Sequence, residues 1–364
     1  VISGSDECAV RLWDTNTGKI THLRQFEGHT RGVLGVINVP GGQRIITCSA
    51  DGSLRVWNLK TGLPIGKAWQ DGESEVYAIA LSPDRKKVVS GDRDVVVKLW
   101  NVDTGKVVAK WTGHTEEVRS VCWSRDGLRV LSGSSDGSAR VWDAESGETI
   151  LGPMETGMFL VAVSYSPDET LIAAGGYRYD GSSVNIFDAK TGKLVTTLGH
   201  EDMVNCLAWT ADGNTLISGS TDRLIRVWNT TTWKNIAVWP EHHAKSVDGI
   251  TISPNGRILA TASWPSSDRT AQLWNLDNGQ LISSPLKHSD VVLCVSFSTD
   301  GKLLTTGCDD HSAYTWDVSA IVKEAGLGDL LSHSDVSEYA FPNIPSHLQS
   351  RHSLGLAGIN LMTQ

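Results

Sequence analysis

The stretch GHTEEVRSVCWSRDGLRVLSGSSDGSARVWD (113–143) brings together His114, Ser132, Ser134 and Asp136. A serine hydroxyl, an imidazole and a carboxylate are the parts of a nucleophile, a general base and the group that orients it, so acyl transfer is the chemistry to consider. The same plan returns in GHTRGVLGVINVPGGQRIITCSADGSLRVWN (28–58) and GHEDMVNCLAWTADGNTLISGSTDRLIRVWN (199–229). Three copies of one nucleophile argue against a single catalytic centre. The other use of such a set is structural, because polar groups buried in a sheet must be paired with one another. A nucleophile needs an exposed Oγ and an oxyanion hole, whereas a buried network needs every partner saturated.

The elements that hold these residues follow from a longer pattern. A short alternating run ending in Trp or Phe and then Asp or Asn occurs eight times: VRLWD (10–14), LRVWN (54–58), VKLWN (97–101), ARVWD (139–143), VNIFD (184–188), IRVWN (225–229), AQLWN (271–275) and AYTWD (313–317). The aromatic stands at 13, 57, 100, 142, 187, 228, 274 and 316, a spacing that matches the period of a four-stranded propeller blade. Within one repeat, VRSVCWS (118–124) alternates as a half-buried strand should, SRDG (124–127) turns the chain, and RVLSGS and SARVWD supply two more strands. ESG (145–147) then turns into a short fourth strand. Fourteen tryptophans and 36 glycines fit the Gly/aromatic usage of radially repeated small sheets.

These residues resemble the WD-repeat (Trp-Asp repeat) β-propeller family over residues 1 to about 318, and the regular turn and GH signatures are most like fungal WD-repeat domains. The resemblance implies an all-β propeller with a hydrogen-bonded tetrad of His, Ser or Thr, Asp and Trp in each regular blade. Carried over residue by residue, the structural tetrads are His114, Ser134, Asp136 and Trp142, with Ser132 as the other candidate serine; His29, Ser49, Asp51 and Trp57; and His200, Ser220, Asp222 and Trp228. The remaining repeats depart from the pattern. DGE (71–73) and GDRD (91–94) stand in the Trp100 repeat, and TGM (156–158) with Phe187 in the next degenerate one. Cys308 falls at the serine position of the last repeat, beside His288 and Asp310, and Glu7 falls at the aspartate position of the first. Drift in blades held by their neighbours is the expectation for these.

Eight third strands against seven recognisable first strands predict eight blades, the first of them incomplete. The alternative is a closed seven-bladed ring in which ITHLRQF (20–26) supplies the outer strand of the last blade. After Asp317 the pattern stops: SAIVKEAGLGDLL (319–331) predicts a short amphipathic helix, and the polar, Ser- and His-rich residues from 332 predict a tail that is disordered or packs on the propeller. The domains expected are therefore 1–318, the propeller, and 319–364, the tail.

Two loops are longer than their counterparts, GYRYDGSS (176–183) and SWPSSDR (263–269), and both lie on the rim that carries the GH loops. They put Tyr177, Arg178, Tyr179 and Trp264 on one face, and Tyr, Trp and Arg are the residues most enriched in binding hot spots. The loops entering the first strands hold ten acids, Asp71, Glu73, Glu75, Glu116, Glu117, Glu155, Glu201, Asp202, Glu241 and Asp290, against the three bases Arg31, Lys245 and Lys287. Charge of one sign on one rim steers encounter with partners of the other sign. The partner-binding candidates are Glu73, Glu75, Arg93, Glu117, Phe159, Tyr177, Arg178, Tyr179, Met203, Trp264 and Asp309.

Composition narrows the function further. A net charge of −9 and a pI of about 5.6 argue against nucleic acid as the main partner, which shows as a basic face. No apolar run approaches a membrane span. The six cysteines stand singly, with no CxxC, so neither a zinc site nor a redox pair is expected, and buried thiols fit a cytoplasmic or nuclear setting. His333, His347 and His352 are too dispersed for a metal site. The sequence thus predicts no metal, no cofactor and no catalytic residue. The resemblance implies a scaffold or adaptor that binds a protein or peptide, in all expectation a basic one, on the acidic rim. The alternatives are a sensor domain of a larger fungal NTPase-containing immune-like receptor, and an enzyme working from the rim or the central channel.

Overall fold

The computed structural model describes residues 2–4, 10–12, 24–41, 43–179, 181–239, 246–264 and 269–331; for 2–4, 10–12 and 264 the description is of the backbone. Seven antiparallel sheets built from three consecutive strands and an outer strand follow one another among the described residues. The Trp142 blade shows the plan. Val118–Trp123 lies innermost, followed by Arg129–Ser134, Ser138–Asp143 and the outer Thr149–Glu155. Inner strands of successive blades pack on one another, and the last, Val292–Phe297, packs on the first, Val33–Val39, so the ring closes.

The count is seven. The blade carrying Trp316 takes its outer strand from Arg24–Glu27, which pairs with Ser312–Asp317 in the register Arg24↔Thr315 to Glu27↔Ser312. The expected eighth, incomplete blade is not part of the ring: Ile2–Gly4 pairs only with Val10–Leu12, as a separate two-stranded sheet. Glu7 and Trp13 lie outside the described residues. The physical reason for closure is visible in the packing between blades. Trp69 stacks on Trp100, Trp111 on Trp142 and Trp239 on Trp274, each from an outer strand onto the third strand of the next blade. Phe26 repeats the contact across the closure, its ring 5.9 Å from that of Trp57, with both fully buried. An aromatic in this place removes apolar area from two blades at once.

Turns set the register. The Asp or Asn after each aromatic caps the next turn; Asp143 Oδ1 accepts the backbone N–H groups of Glu145 and Ser146. Gly147 in that turn has φ +74°, and a Cβ there would lie 2.3 Å from the indole of Trp111. Glycine is needed twice over, for its backbone and for the neighbouring ring. Beyond Asp317, the helix Val318–Glu324 and a 3-10 turn at Gly328–Leu331 bury Val318, Ile321, Val322 and Leu330 against the Trp274 and Trp316 blades. The expected helix is thus shorter than 319–331 and belongs to the ring's core; residues 332–364 lie outside the described residues.

Candidate functional site

The His–Ser–Asp set of the Trp142 blade is a closed chain of hydrogen bonds. The indole Nε1–H of Trp142 donates to Ser132 Oγ at 2.7 Å, and Ser132 Oγ lies 2.7 Å from His114 Nε2. On the other side of the ring, His114 Nδ1 is 2.8 Å from Asp136 Oδ2. Asp136 also accepts from the backbone N–H of Thr115 and Ser138 and from the Ser138 hydroxyl. Ser132 is fully buried, so its Oγ has no face for a substrate. Desolvation lowers the His114 pKa and keeps the imidazole neutral, although Asp136 pulls the other way. Such an arrangement holds a sheet together and leaves no lone pair for general-base work.

The hydroxyl in this chain is Ser132, not Ser134. In the Trp57 blade it is Thr47 rather than Ser49, at 2.8 Å from both His29 Nε2 and Trp57 Nε1. In the Trp228 blade it is Ser218 rather than Ser220. Register explains the correction. Trp142 pairs with Val130, so Ser132 is its diagonal neighbour on the same face, within reach of a long side chain, whereas Ser134 is four residues along the strand, about 13 Å at the usual rise. Ser134, Ser49 and Ser220 instead donate to the carbonyls of Glu116, Arg31 and Asp202, tying second strands to the entry loops. The signal that finds the right residue is a hydroxyl ten positions before the aromatic. It also recovers Ser90 with Trp100, and Thr306 with Trp316 and His288, so Cys308 does not break the last network.

The departure in the Trp100 blade is rebuilt rather than merely tolerated. In the Trp100 blade, Lys98 is 2 % exposed and its Nζ lies 2.6 Å from Asp92, 3.2 Å from Asp94 and 3.4 Å from Asp71. A buried ammonium ringed by carboxylates takes the place of the imidazole network. In the Trp228 blade, the Arg226 guanidinium lies 2.9 Å from His200 Nδ1 and contacts Asp222. A guanidinium can only donate, so Nδ1 accepts and the His200 proton sits on Nε2, facing Ser218. Burial first, then Arg226, lowers the His200 pKa. For Asp222, burial works upward, but the Arg226 guanidinium and the backbone N–H of Leu224 outweigh it and bring the carboxyl down to about 2.

Above these supports lies the rim of entry loops. Arg31 pairs with Glu75 at 2.7 Å, Arg93 reaches Glu75 and Glu117 at 3.5 and 3.7 Å, and Arg119 contacts Glu117 while lying 4.0 Å over the Tyr77 ring. This belt crosses three blades. It also corrects the charge balance, because Arg93 and Arg119, outside the entry loops, neutralise Glu75 and Glu117. Glu73, Glu116, Glu155 and Glu201 are exposed and make no ion pair among the described residues. On the Phe187 blade, Phe159 pairs with Tyr177 across the strands, and the Tyr179 ring stands 5.5 Å from Tyr177 and 6.3 Å from Phe159, edge to face. Tyr179 is 86 % exposed and Phe159 46 %. Arg178 is exposed beside them, and Met203 is half-buried at the mouth of the next blade. Asp309 is exposed against Gly32, where a Cβ would meet its carboxylate at 2.3 Å. The Trp264 backbone ends a second strand paired at Ser246, but its side chain, Glu241 and Lys245 lie outside the described residues. The rim candidates are therefore spread over the ring, and only the aromatic trio and the Glu75–Arg93–Glu117 belt are drawn into contact.

The profile of the family described as "WD domain, G-beta repeat" matches residues 20–58, 67–101, 105–143, 192–229, 233–275 and 279–317. This chain belongs to the WD40 repeat family. The Phe187 blade falls between the matched segments, yet its four strands are complete. The WD40 chain is 31 % identical over 253 residues to Nuclear distribution protein nudF 1 of Talaromyces marneffei, covering 63 % of this chain and 55 % of the relative. It is 28 % identical over 321 residues to Autophagy-related protein 16 of Arabidopsis thaliana, covering 87 % and 53 %. With Apoptotic protease-activating factor 1 of Rattus norvegicus it shares 27 % identity over 317 residues, 87 % of this chain and 21 % of that one. The chain thus spans about half, or in the last case a fifth, of the length of these relatives. The WD40 β-propeller domain of Doa1 superposes with a TM-score of 0.72 at 20 % identity, over 83 % of this chain and 97 % of that domain. Among the described residues no helix is long and apolar enough to cross a membrane, and no cluster of three His, Cys, Asp or Glu could hold a metal.

Proposed function

We propose that this WD40 propeller is a non-catalytic scaffold that docks a cationic peptide segment of a protein partner on the rim of entry loops. WD40 propellers are typically protein-interaction scaffolds, and the rim assigned here rests on one observation. Phe159, Tyr177 and Tyr179 form a pre-packed aromatic cluster that remains exposed to solvent. Rings already held against one another lose little freedom on binding, which is how aromatic anchors supply contact energy. The exposed Glu73, Glu116, Glu155 and Glu201 stand on the entry loops of four consecutive blades that include this one. They would speed the approach of a basic segment, and salt would weaken that steering. The buried networks below hold the loops in place and take no part in chemistry.

Binding of an arrayed set of Lys/Arg-rich peptides would be measured for the wild type, for Tyr177→Ala/Tyr179→Ala, and for Lys86→Ala/Lys87→Ala on the opposite rim. The aromatic variant is expected to lose at least tenfold in affinity, since truncating one good anchor costs about 2 kcal/mol. Loss in the lysine control alone would place the surface on the wrong face. A sensor module in a longer receptor is the second reading, supported by the match of 87 % of this chain to one fifth of Apoptotic protease-activating factor 1. The same rim would serve it.

A further inference from the structure

On the rim opposite the entry loops, the last residue of the inner strand is aromatic in three consecutive blades: Trp123, Tyr165 and Trp209. All three line a cavity of about 210 Å³. A groove of about 870 Å³ adjoins it, sharing Ser166, Pro167 and Trp209, and runs across the turns of the next two blades. Trp123 donates its indole N–H to the carbonyl of Ala80 in the preceding blade, at 3.1 Å. Trp209 holds the equivalent place in the ring, yet its Nε1 is buried without an acceptor among the described residues. The hydroxyl of Tyr165, a residue only 9 % exposed, is also buried without a partner. Burial pushes the Tyr165 phenol well above its ordinary value, so at neutral pH it stays a donor. Buried donors are nearly always satisfied, and one that is not is a deficit that a ligand can make good.

The other polar groups around these two are committed. Glu169 accepts from the Arg125 backbone N–H and from Arg129 at 2.8 Å. Arg125 faces Glu169 and Asp168, so it brings no spare positive charge. Ser166 Oγ donates to Asp168 and accepts from the N–H of Leu171, while Ser164 Oγ donates to the carbonyl of Tyr165. In the groove, Asp168 and Asp212 are tied within their turns by Ser166 and Thr210, and as carboxylates they repel an anion. The unpaired buried side-chain atoms of the cavity wall are all donors, and no buried side-chain acceptor is left over.

The fitting ligand is therefore an uncharged acceptor that brings no N–H of its own. A secondary amide would strand its N–H in such a place, whereas the tertiary amide ahead of a proline has a carbonyl and no N–H. A polyproline II segment leaves every carbonyl free, because that helix has no internal hydrogen bonds, and its rings dock on aromatic walls. The wall is already held in shape, with the Trp209 ring edge to face against Trp233 at 6.4 Å. We infer that this cavity and groove bind an uncharged proline-rich segment of a partner protein, with the Trp209 N–H and the Tyr165 O–H donating to its carbonyls. The site is on the face opposite the aromatic rim, so it stands or falls independently of the proposed function above.

The test follows the indole N–H resonances of the 15N-labelled full chain, with the Trp209 and Trp123 signals identified by their loss in Trp209→Phe and Trp123→Phe. The probes are capped hexaproline and a capped hexapeptide of alternating Gly and Ser. The expected result is a saturable shift of the Trp209 signal with hexaproline, with an affinity at least tenfold weaker for the Gly/Ser peptide. Raising salt from about 0.05 to about 0.5 M should leave the hexaproline affinity unchanged, since the contact carries no charge. Tyr165→Phe removes one oxygen and keeps the ring, and should weaken binding about fivefold. Trp209→Phe, read at the Trp123 signal, should do the same. No saturable shift would mean that water alone occupies the cavity, and would overturn the inference. Equal affinity for the two peptides would overturn the proline assignment, a tenfold fall with salt would overturn the uncharged contact, and full binding in both variants would overturn the role of the two donors.

Discussion

Replacing Ser132 by alanine should hurt the protein far more than replacing Ser134, although both serines lie in one strand and both are fully buried. Ser132→Ala deletes the single oxygen that joins Trp142 Nε1–H and His114 Nε2. Neither atom has another partner there and water does not reach them, so two buried groups are left unsatisfied at about 1–3 kcal/mol each. Partial relaxation brings the expected loss to about 2–4 kcal/mol. Ser134→Ala removes a bond to the carbonyl of Glu116 and one from the N–H of Asp136, both beside solvent-facing loops where water can substitute. The expected loss is about 1 kcal/mol. For a ring of roughly 300 residues the unfolding entropy is about 0.6 kcal/mol/K, so the two variants should differ by about 2–5 °C in Tm. Differential scanning calorimetry on both, with Trp142→Phe and the Ser132→Ala/Trp142→Phe double variant completing a cycle, measures the coupling directly. An equal or larger loss for Ser134→Ala, or a cycle that closes with no coupling, would refute the assignment of the hydroxyl.

Three further outcomes are expected. Lys98→Met leaves the fully buried Asp92 without its counter-charge and should cost about 3–5 kcal/mol, whereas Lys110→Ala, half exposed, should cost under about 1 kcal/mol; adding Asp92→Ser to Lys98→Met should recover most of the loss in a urea titration. His114 and His200 have folded pKa values below the ordinary 6.5, so the unfolded chain takes up protons first. Their stabilisation is complete above about pH 6.5 and declines as pH falls below it, by up to about 2.7 kcal/mol per pH unit for the pair; a flat urea midpoint between pH 7 and 5 would contradict this. Phe26→Ala should cost about 3–5 kcal/mol, read by thermal melting, because Phe26 is fully buried at the closure against Trp57.

The propeller was legible because its signals are local. An aromatic followed by Asp or Asn caps a turn within four residues, and the alternation that marks strands needs only a short window. The blade count was less legible for the opposite reason. Residues 10–14 carry the third-strand pattern in full, while the strand that closes the ring, Arg24–Glu27, pairs with residues almost 290 positions away and carries no repeat signature beyond Phe26. Ser132 and Ser134 alternate onto the same face, so the sequence alone does not separate them; only the pairing register does. The Lys98 cluster hid because its three carboxylates come from two loops and a strand end. The acids of the entry loops make a weaker field than their number suggests, because Arg93 and Arg119 enter from outside those loops.

The clasp between Arg24–Glu27 and Ser312–Asp317 also fixes how the ring bears load. In this antiparallel pairing the start of one strand lies beside the end of the other, Arg24 opposite Thr315. A pull on the chain before residue 24 and after residue 317 therefore acts at the same end of the clasp and opens its bonds one after another, as a zipper opens, instead of shearing them together. The helix Val318–Glu324, with Ile321 and Val322 seated in the core, must peel away before that end is reached. The ring would thus yield to tension at a low force, in two steps, helix first and clasp second. A load carried through residues 24 and 317 is thus borne by the seam at which the ring closes.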